Sequence, residues 1–171
     1  MNIILTGIMG TGKSTVGRIL GKKLGWAFYD TDSMIEKETG LTIAQIFTKR
    51  GEKEFRVVEM HTIQLISVLD KVVVATGGGV PLRTENMDVL ERNGWIVHLS
   101  AKPETILDRL DKTIATRPLL AGKDPYLELE KLLKDREKAY GRANINVDTD
   151  EQTPEQVAYM ILKLKPEEIK K

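Results

Sequence analysis

The chain contains no cysteine in its 171 residues. That absence excludes disulfides, thiolate zinc sites and catalysis by a thiol nucleophile. The two histidines, His61 and His98, have no partner at metal-ligand spacing, so we assign neither of them a role. A formal net charge of +1 gives no basic footprint for nucleic acid, and we expect no nucleic-acid partner.

Long hydrophobic runs are also missing. None approaches the roughly 18 apolar residues that a bilayer-spanning helix needs, and the residues after Met1 lack the basic region and cleavage site of an export signal. We therefore expect a cytoplasmic protein with no membrane partner. The composition, 41% hydrophobic and 30% charged, is that of a globular chain, and the length favours one domain over residues 1–171.

Five short apolar runs alternate with amphipathic helical patterns, an order typical of a doubly wound α/β fold. The predicted strands are 2–6, 26–29, 71–76, 95–99 and 145–147. The third contains Val-Val-Val-Ala, apolar without alternation, as expected of a parallel strand covered on both faces. Helices are predicted to begin after Thr42 and Thr153, each followed three residues later by Gln in the capping-box pattern, and after Asp124.

Two stretches are longer than a single helix connecting two parallel strands requires. Between Asp30 and Asp70 there is room for about three helical segments before the next strand, which predicts a helical insertion at about residues 31–62. Residues 111–123 are polar and contain Gly and Pro. A segment of this kind between two helices predicts a lid at about residues 111–124.

Residues 7–14 read Gly-Ile-Met-Gly-Thr-Gly-Lys-Ser, which matches the phosphate-binding pattern G-x-x-x-x-G-K-[ST] between a strand and a helix. Glycines let such a loop curl so that backbone N–H groups point at phosphate oxygens. Lys13 is placed to reach the β- and γ-phosphates of ATP, and the Ser14 hydroxyl to coordinate Mg²⁺. The predicted nucleotide-binding residues here are Gly10, Thr11, Gly12, Lys13, Ser14 and Thr15.

Two carboxylates, Asp30 and Asp32, follow the second strand at the edge where open α/β sheets bind ligands. Residues i and i+2 of an extended segment point the same way, so Asp30 is expected near the metal and Asp32 at substrate hydroxyls. The alternative is that one of them caps a helix beginning near Ser33. The third strand ends in Thr-Gly-Gly-Gly without an acidic residue, which leaves Asp30 as the nearest carboxylate for the metal.

The three glycines at positions 77–79 follow a buried strand, so they predict a close approach of backbone to a bound molecule. Arg56, in the insertion, and Arg136, in a later helix, have the side chain suited to a carboxylate or phosphate. Spacing alone favours a solvated or salt-bridged helix residue for both. Arg117, in the predicted lid, is suited to carry a positive charge to the phosphates on closure.

Taken in order, these motifs resemble the shikimate kinase family over essentially the whole chain. The matching segments are Gly12-Lys13-Ser14-Thr15, Phe28-Tyr29-Asp30-Thr31-Asp32, Gly51-Glu52 with Phe55-Arg56, Gly77-Gly78-Gly79, Arg117-Pro118-Leu119-Leu120, Arg136 with Tyr140, and Val147-Asp148-Thr149. The resemblance implies a P-loop kinase fold, with a five-stranded parallel sheet flanked by helices, a substrate-binding insertion and a lid. It also implies Mg²⁺-dependent transfer of the ATP γ-phosphate to the 3-hydroxyl of shikimate, in the pathway to chorismate and aromatic amino acids.

The resemblance also implies roles for single residues. Separately, we expect a monomeric protein. On the acceptor side, Asp32 would hold ring hydroxyls, Arg56 and Arg136 would bind the carboxylate, and Gly78 and Gly79 would contact shikimate through their backbone. On the ATP side, Lys13 and Arg117 would stabilise phosphoryl charge. Ser14 would bind Mg²⁺ directly, and Asp30 would lie in the second coordination shell of the ion. Arg109 and Gln152 would flank adenine.

Three other functions fit part of the pattern. Gluconate also carries hydroxyls and a carboxylate, so a gluconate kinase is the nearest alternative, although the two arginines and three glycines favour shikimate. A nucleotide acceptor would require a base-stacking pocket, and only 5% of the residues are aromatic. A nucleotide-binding module without turnover would not need the acceptor-side residues, and here both sides are present.

Overall fold

The computed structural model describes residues 1–110 and 124–169. Its strands are β1 Asn2–Thr6, β2 Ala27–Asp30, β3 Val72–Ala75, β4 Gly94–Ser100 and β5 Ile145–Asp148. They form one sheet in the order β2-β3-β1-β4-β5, and every neighbouring pair is parallel. The predicted fold class is confirmed, and each predicted strand end lies within one residue of the observed end.

Helices connect the strands and cover both faces of the sheet. They are α1 Lys13–Leu24, α2 Thr31–Thr39, α3 Ile43–Ser67, α4 Thr84–Glu91, α5 Pro103–Leu110, α6 Pro125–Tyr140 and α7 Pro154–Leu164, with 3₁₀ turns at Val80–Leu82 and Glu167–Ile169. Both predicted capping boxes, at Thr42 and Thr153, are formed. Within the described ranges, no helix is long and apolar enough to cross a membrane.

The central strands are buried on both faces because successive side chains point to opposite sides of the sheet. On one face, Ile3 and Leu5 of β1 pack against α1 and α7. On the other face, Ile4 of β1 packs against α3 and α4. This sandwich brings the carboxyl ends of β1, β2 and β3 to one edge, where the phosphate-binding loop, Asp30 and the three glycines begin.

Helix α3 is interrupted at Gly51, whose φ of 83° and ψ of 168° are not helical and belong to a region that essentially only glycine occupies. The predicted three segments between the second and third strands are therefore α2 and the two halves of α3. Ile35, Ile46 and Phe55, from these three segments, form a small core of their own. The predicted lid, apart from Asp124 at the start of α6, and Arg117 lie outside the described residues.

Candidate active site

The phosphate-binding loop curls between β1 and α1 as its glycines predict. Gly10 and Gly12 have φ values of 79° and 88°, in the left-handed region that side-chain-bearing residues rarely adopt. Thr11 is buried and closes the loop, since its hydroxyl donates to the carbonyl of Ile8 at 2.9 Å. Gly12 occupies the N-cap position of α1, so the positive end of the helix faces the loop and forms an anion site.

Lys13 and Ser14 lie at the first turn of α1, beside the loop. The Lys13 ammonium donates to the carbonyls of Gly7 and Ile8 at 2.8 and 2.9 Å. The Ser14 hydroxyl donates to Asp30 Oδ2 at 2.6 Å. One cation and one hydroxyl–carboxylate pair therefore lie side by side at the carboxyl edge of the sheet.

Asp30 and Asp32 differ in their local structure. Asp30 ends β2 and is the N-cap of α2, where its Oδ1 accepts from the backbone N–H of Ser33 at 3.2 Å. The capping alternative is therefore correct for Asp30, and its second oxygen still reaches Ser14. The prediction that both carboxylates lie on one extended segment is wrong, because α2 begins at Thr31 and places Asp32 in its first turn.

The carboxylate of Asp32 nevertheless faces the same edge. Burial, and then the negative charge of Asp30, raise its pKa from 3.8 to about 6, against the opposing pull of Lys13. Glu59 and Glu36 add to the rise. A carboxylate whose pKa lies near the working pH is suited to accept a proton from a substrate hydroxyl.

The three glycines after β3 are approached by side chains of the site. The N–H of Gly77 donates to the buried Thr31 hydroxyl at 2.8 Å, and a Cβ added at Gly77 would overlap Oδ1 of Asp32. A Cβ at Gly79 would lie 3.0 Å from Nη1 of Arg56. These glycines have no positive φ, so the lack of a side chain, rather than backbone freedom, is what this edge requires.

Gly78 is bound from the opposite side by α6. Its carbonyl accepts from Arg136 Nη1 at 3.1 Å and from the Tyr140 hydroxyl at 3.2 Å. The ring of His98, in β4, stacks on Tyr140 with centroids 4.3 Å apart. Burial, and then the charge of Lys13, lower the pKa of His98 to about 4, so this ring is neutral at neutral pH.

Arg56 is held by two glutamates of its own helix. Its Nη1 donates to both oxygens of Glu59 at 3.0 Å, while Nε and Nη2 donate to Oε1 of Glu52 at 3.3 and 3.1 Å. Burial works to lower the pKa of Arg56, but these ion pairs outweigh it and raise the pKa above its usual value. Sequence reasoning expected a salt-bridged arginine but missed Glu59, which is only 2% exposed.

Arg109 lies on the nucleotide side of the loop. Its Nη1 donates to the carbonyl of Gly10 at 3.3 Å and to the Thr149 hydroxyl at 2.9 Å, and its Nη2 donates to the Thr149 carbonyl at 2.6 Å. Arg109 thus joins the phosphate-binding loop to the connection between β5 and α7. Gln152 lies in that connection and Thr15 on α1, both exposed. The adenine contacts assigned to Arg109 and Gln152 stay predictions.

The described residues of the site offer oxygen ligands for a hard cation, but not enough of them to fill its coordination shell. In the described part of the chain there is no group of three or more His, Cys, Asp or Glu side chains that could hold a metal ion. Ser14 and Asp30 supply two adjacent oxygen donors at the loop. This donor set fits a magnesium ion that takes its other ligands from water and nucleotide phosphates.

Known proteins match this chain along nearly its whole length. The shikimate kinase family model matches residues 9–165. A shikimate kinase from Thermodesulfovibrio yellowstonii is 46% identical over 162 residues, which are 95% of this chain and 93% of the relative. A solved structure of shikimate kinase from Acinetobacter baumannii, in complex with shikimate, is 39% identical with a TM-score of 0.88, covering 95% of this chain and 91% of that one.

More distant structures share the fold alone. A gluconokinase from Sinorhizobium meliloti has a TM-score of 0.63 and 17% identity, covering 95% of this chain and 89% of that one. At this identity the likeness extends to the P-loop kinase architecture and not to the acceptor, so the gluconate alternative is the weaker one. The chain belongs to the shikimate kinase family, whose members are ATP-using phosphotransferases.

Proposed function

We propose that this protein transfers the γ-phosphate of ATP to the 3-hydroxyl of shikimate. The observation that carries the proposal is the convergence of Asp32, Arg56 and Arg136 on three successive glycines beside the phosphate-binding loop. Two guanidinium groups suit one carboxylate, and a carboxylate suits neighbouring hydroxyls. The Acinetobacter baumannii relative, solved with shikimate bound, supports this acceptor.

On the acceptor side, Arg56 and Arg136 bind the substrate carboxylate, and Gly78 and Gly79 let the ring approach the backbone. Asp32, with its pKa of about 6, is mostly ionised at neutral pH and accepts the hydrogen bond of the reacting hydroxyl. As the hydroxyl oxygen bonds to the γ-phosphorus and the bond to ADP breaks, the hydroxyl proton moves to this carboxylate. Positioning and charge supply most of the catalysis in such transfers.

On the ATP side, residues 10–15 bind the phosphates through backbone N–H groups and the Lys13 ammonium. Mg²⁺ bound with ATP would neutralise charge on the β- and γ-phosphates, and Ser14 and Asp30 are the residues that would hold it. Arg109 and Gln152 are proposed to flank adenine. Arg117, outside the described residues, is proposed to add positive charge at the transferred phosphoryl group.

We further propose that residues 1–171 act as one kinase domain, with a substrate-binding insertion at about 31–62 and a lid at about 111–124. In this arrangement α2 contributes Asp32 and the second half of α3 contributes Arg56. A monomer that works in the cytoplasm stays a prediction. Size-exclusion chromatography with light scattering checks the first part of it, because a dimer would elute at twice the chain mass of 19.2 kDa.

The direct test is coupled ADP release with ATP and Mg²⁺, comparing shikimate, gluconate, AMP and no acceptor. We expect release with shikimate only. Release with gluconate or AMP instead would keep the P-loop chemistry and overturn the acceptor site. ADP release that is the same without any acceptor would show a nucleotide hydrolase and overturn the proposal.

The acceptor site itself is tested with Arg136→Ala. Losing one of two guanidinium groups should raise KM for shikimate by roughly tenfold or more, since a charge-assisted hydrogen bond is lost, and leave KM for ATP nearly unchanged. The matched control is Arg92→Ala, an exposed arginine that precedes β4 at the opposite edge of the sheet. Equal increases in the two KM values would remove Arg136 from the acceptor site.

A further inference from the structure

A buried polar cluster lies between helices α3 and α4, behind Arg56. Its members are Glu59 and Thr62 of α3 and Asn86 of α4, which are 2%, 1% and 1% exposed. Polar side chains are rarely buried this completely unless they are paired. The reaction assigns none of these three a role, so their burial requires a reason.

Hydrogen bonds connect this cluster to the acceptor site. Asn86 Nδ2 donates to Oε2 of Glu59 at 3.3 Å, and both oxygens of Glu59 accept from Arg56 Nη1. Arg56 in turn lies against Gly79. A continuous chain of contacts therefore runs from a buried amide on α4 to the guanidinium at the site.

The hydrogen bond to Glu59 uses only the donor side of the Asn86 amide. Its Oδ1 atom and the Thr62 hydroxyl have no hydrogen-bond partner among the residues that the structure describes. An unmade hydrogen bond in the protein interior costs free energy, so what Asn86 offers at this position is its one hydrogen bond, to the buried carboxylate of Glu59. A residue that breaks the rules of core packing points to a functional requirement.

We propose that Asn86 is a positioning residue for the binding of the substrate carboxylate, an inference that rests on the proposed function. The amide donor fixes the carboxylate of Glu59 in one orientation. Glu59, held in this way, fixes the guanidinium of Arg56 over Gly79. Without the donor, the Glu59 carboxylate is free to rotate, and Arg56, whose other hydrogen bonds go to the more exposed Glu52, is no longer preorganised for a carboxylate.

The test compares the binding of shikimate with that of its methyl ester, which keeps the ring hydroxyls but lacks the charged carboxylate. In Asn86→Leu, calorimetry should show shikimate binding weakened about tenfold, as expected when a hydrogen bond to a charged group is lost. Binding of the ester and of ATP should stay unchanged. Asn86→Ala removes the same donor without adding bulk, so it should give the same result if the leucine is not accommodated.

Two further variants distinguish the effect of the Asn86 amide from the effect of packing around it. Thr62→Val removes the other buried polar atom of the cluster, which does not bond to Glu59, and should leave shikimate binding unchanged. Arg56→Ala should weaken shikimate binding by itself, and adding Asn86→Leu to it should have no further effect. A purely structural role for Asn86 would instead weaken the acid and its ester alike.

Each contrary result has a distinct meaning. If Arg56→Ala does not weaken shikimate binding, the proposed acceptor site is wrong and this inference is wrong with it. If Arg56→Ala weakens binding but both Asn86 variants bind shikimate normally, only this inference is overturned. An effect of Thr62→Val equal to that of Asn86→Leu would also overturn it, because packing and not the amide would then be responsible.

Discussion

Replacing Asp32 with asparagine should stabilise the protein at neutral pH while removing most of its turnover. Burial, helped by the charge of Asp30, raises the pKa of Asp32 from 3.8 to about 6 in the folded protein. The folded state therefore holds this proton more tightly than the unfolded chain does. The stability contributed by the protonated group is fully present below about pH 4 and is lost as the pH rises to about 6.

The magnitude follows from the size of the pKa change. Each pKa unit corresponds to about 1.4 kcal/mol, so ionising Asp32 costs the folded protein about 3 kcal/mol by neutral pH. Asparagine has the shape of the protonated acid and cannot ionise. The free energy of unfolding of D32N, relative to the natural sequence, should therefore rise by about 3 kcal/mol between about pH 4 and pH 8.

Urea unfolding at about pH 4, 6 and 8 measures this difference, with the fluorescence of the two tryptophans as the signal and the slope checked for two-state behaviour. Asp108→Asn, at an exposed position of α5, is the matched control and should show no such rise. A D32N difference that stays constant within about 0.5 kcal/mol across this range would refute the reasoning. It would mean that the carboxylate is solvated in the folded protein. The turnover of D32N should fall by roughly a hundredfold or more.

Three further variants test other parts of the structure. Gly79→Ala should leave the melting temperature unchanged, because the φ of −91° at this position suits alanine. The added methyl group should displace Arg56 and raise KM for shikimate severalfold, and an unchanged KM would contradict this. Arg109→Ala should raise KM for ATP and leave KM for shikimate unchanged, because the hydrogen bonds that join the phosphate-binding loop to the β5–α7 connection are lost. Steady-state kinetics with each substrate varied in turn measure both values, and an increase in KM for shikimate alone would contradict this. Thr153→Ala removes a capping box and should cost about 1 kcal/mol of unfolding free energy in urea titration, with both KM values unchanged; no loss of stability would contradict this.

Much of the fold was predictable from the sequence because its signals are local. The glycine pattern before Lys13 and the capping boxes at Thr42 and Thr153 each depend on a few neighbouring residues. The apolar run of β3 reports burial on both faces, so it predicted a central strand of a parallel sheet. Such features require no knowledge of what packs against them.

The parts of the site that sequence reasoning missed depend on packing between distant elements. Glu59 follows Arg56 by three residues, a spacing that is ordinary on exposed helices, and only the packing of α4 on α3 buries it. Asn86 gives no local signal at all. The placement of Asp32 on an extended segment was wrong for a local reason: Asp30 ends β2 and is also the N-cap of α2, so the helix begins directly at Thr31.

The break at Gly51 has a consequence for how this chain tolerates change in length. A continuous helix rotates each residue by a fixed angle relative to the one before, so an insertion of one residue turns everything beyond it by about 100°. Because the helical phase restarts at Gly51, a residue added to the first half of α3 would rotate Ile46 in the small core. It would not rotate Arg56, whose angular position is set by Ile63 and Ile66 packed on the sheet. The angular position of Arg56 therefore does not depend on the length of the first half of α3.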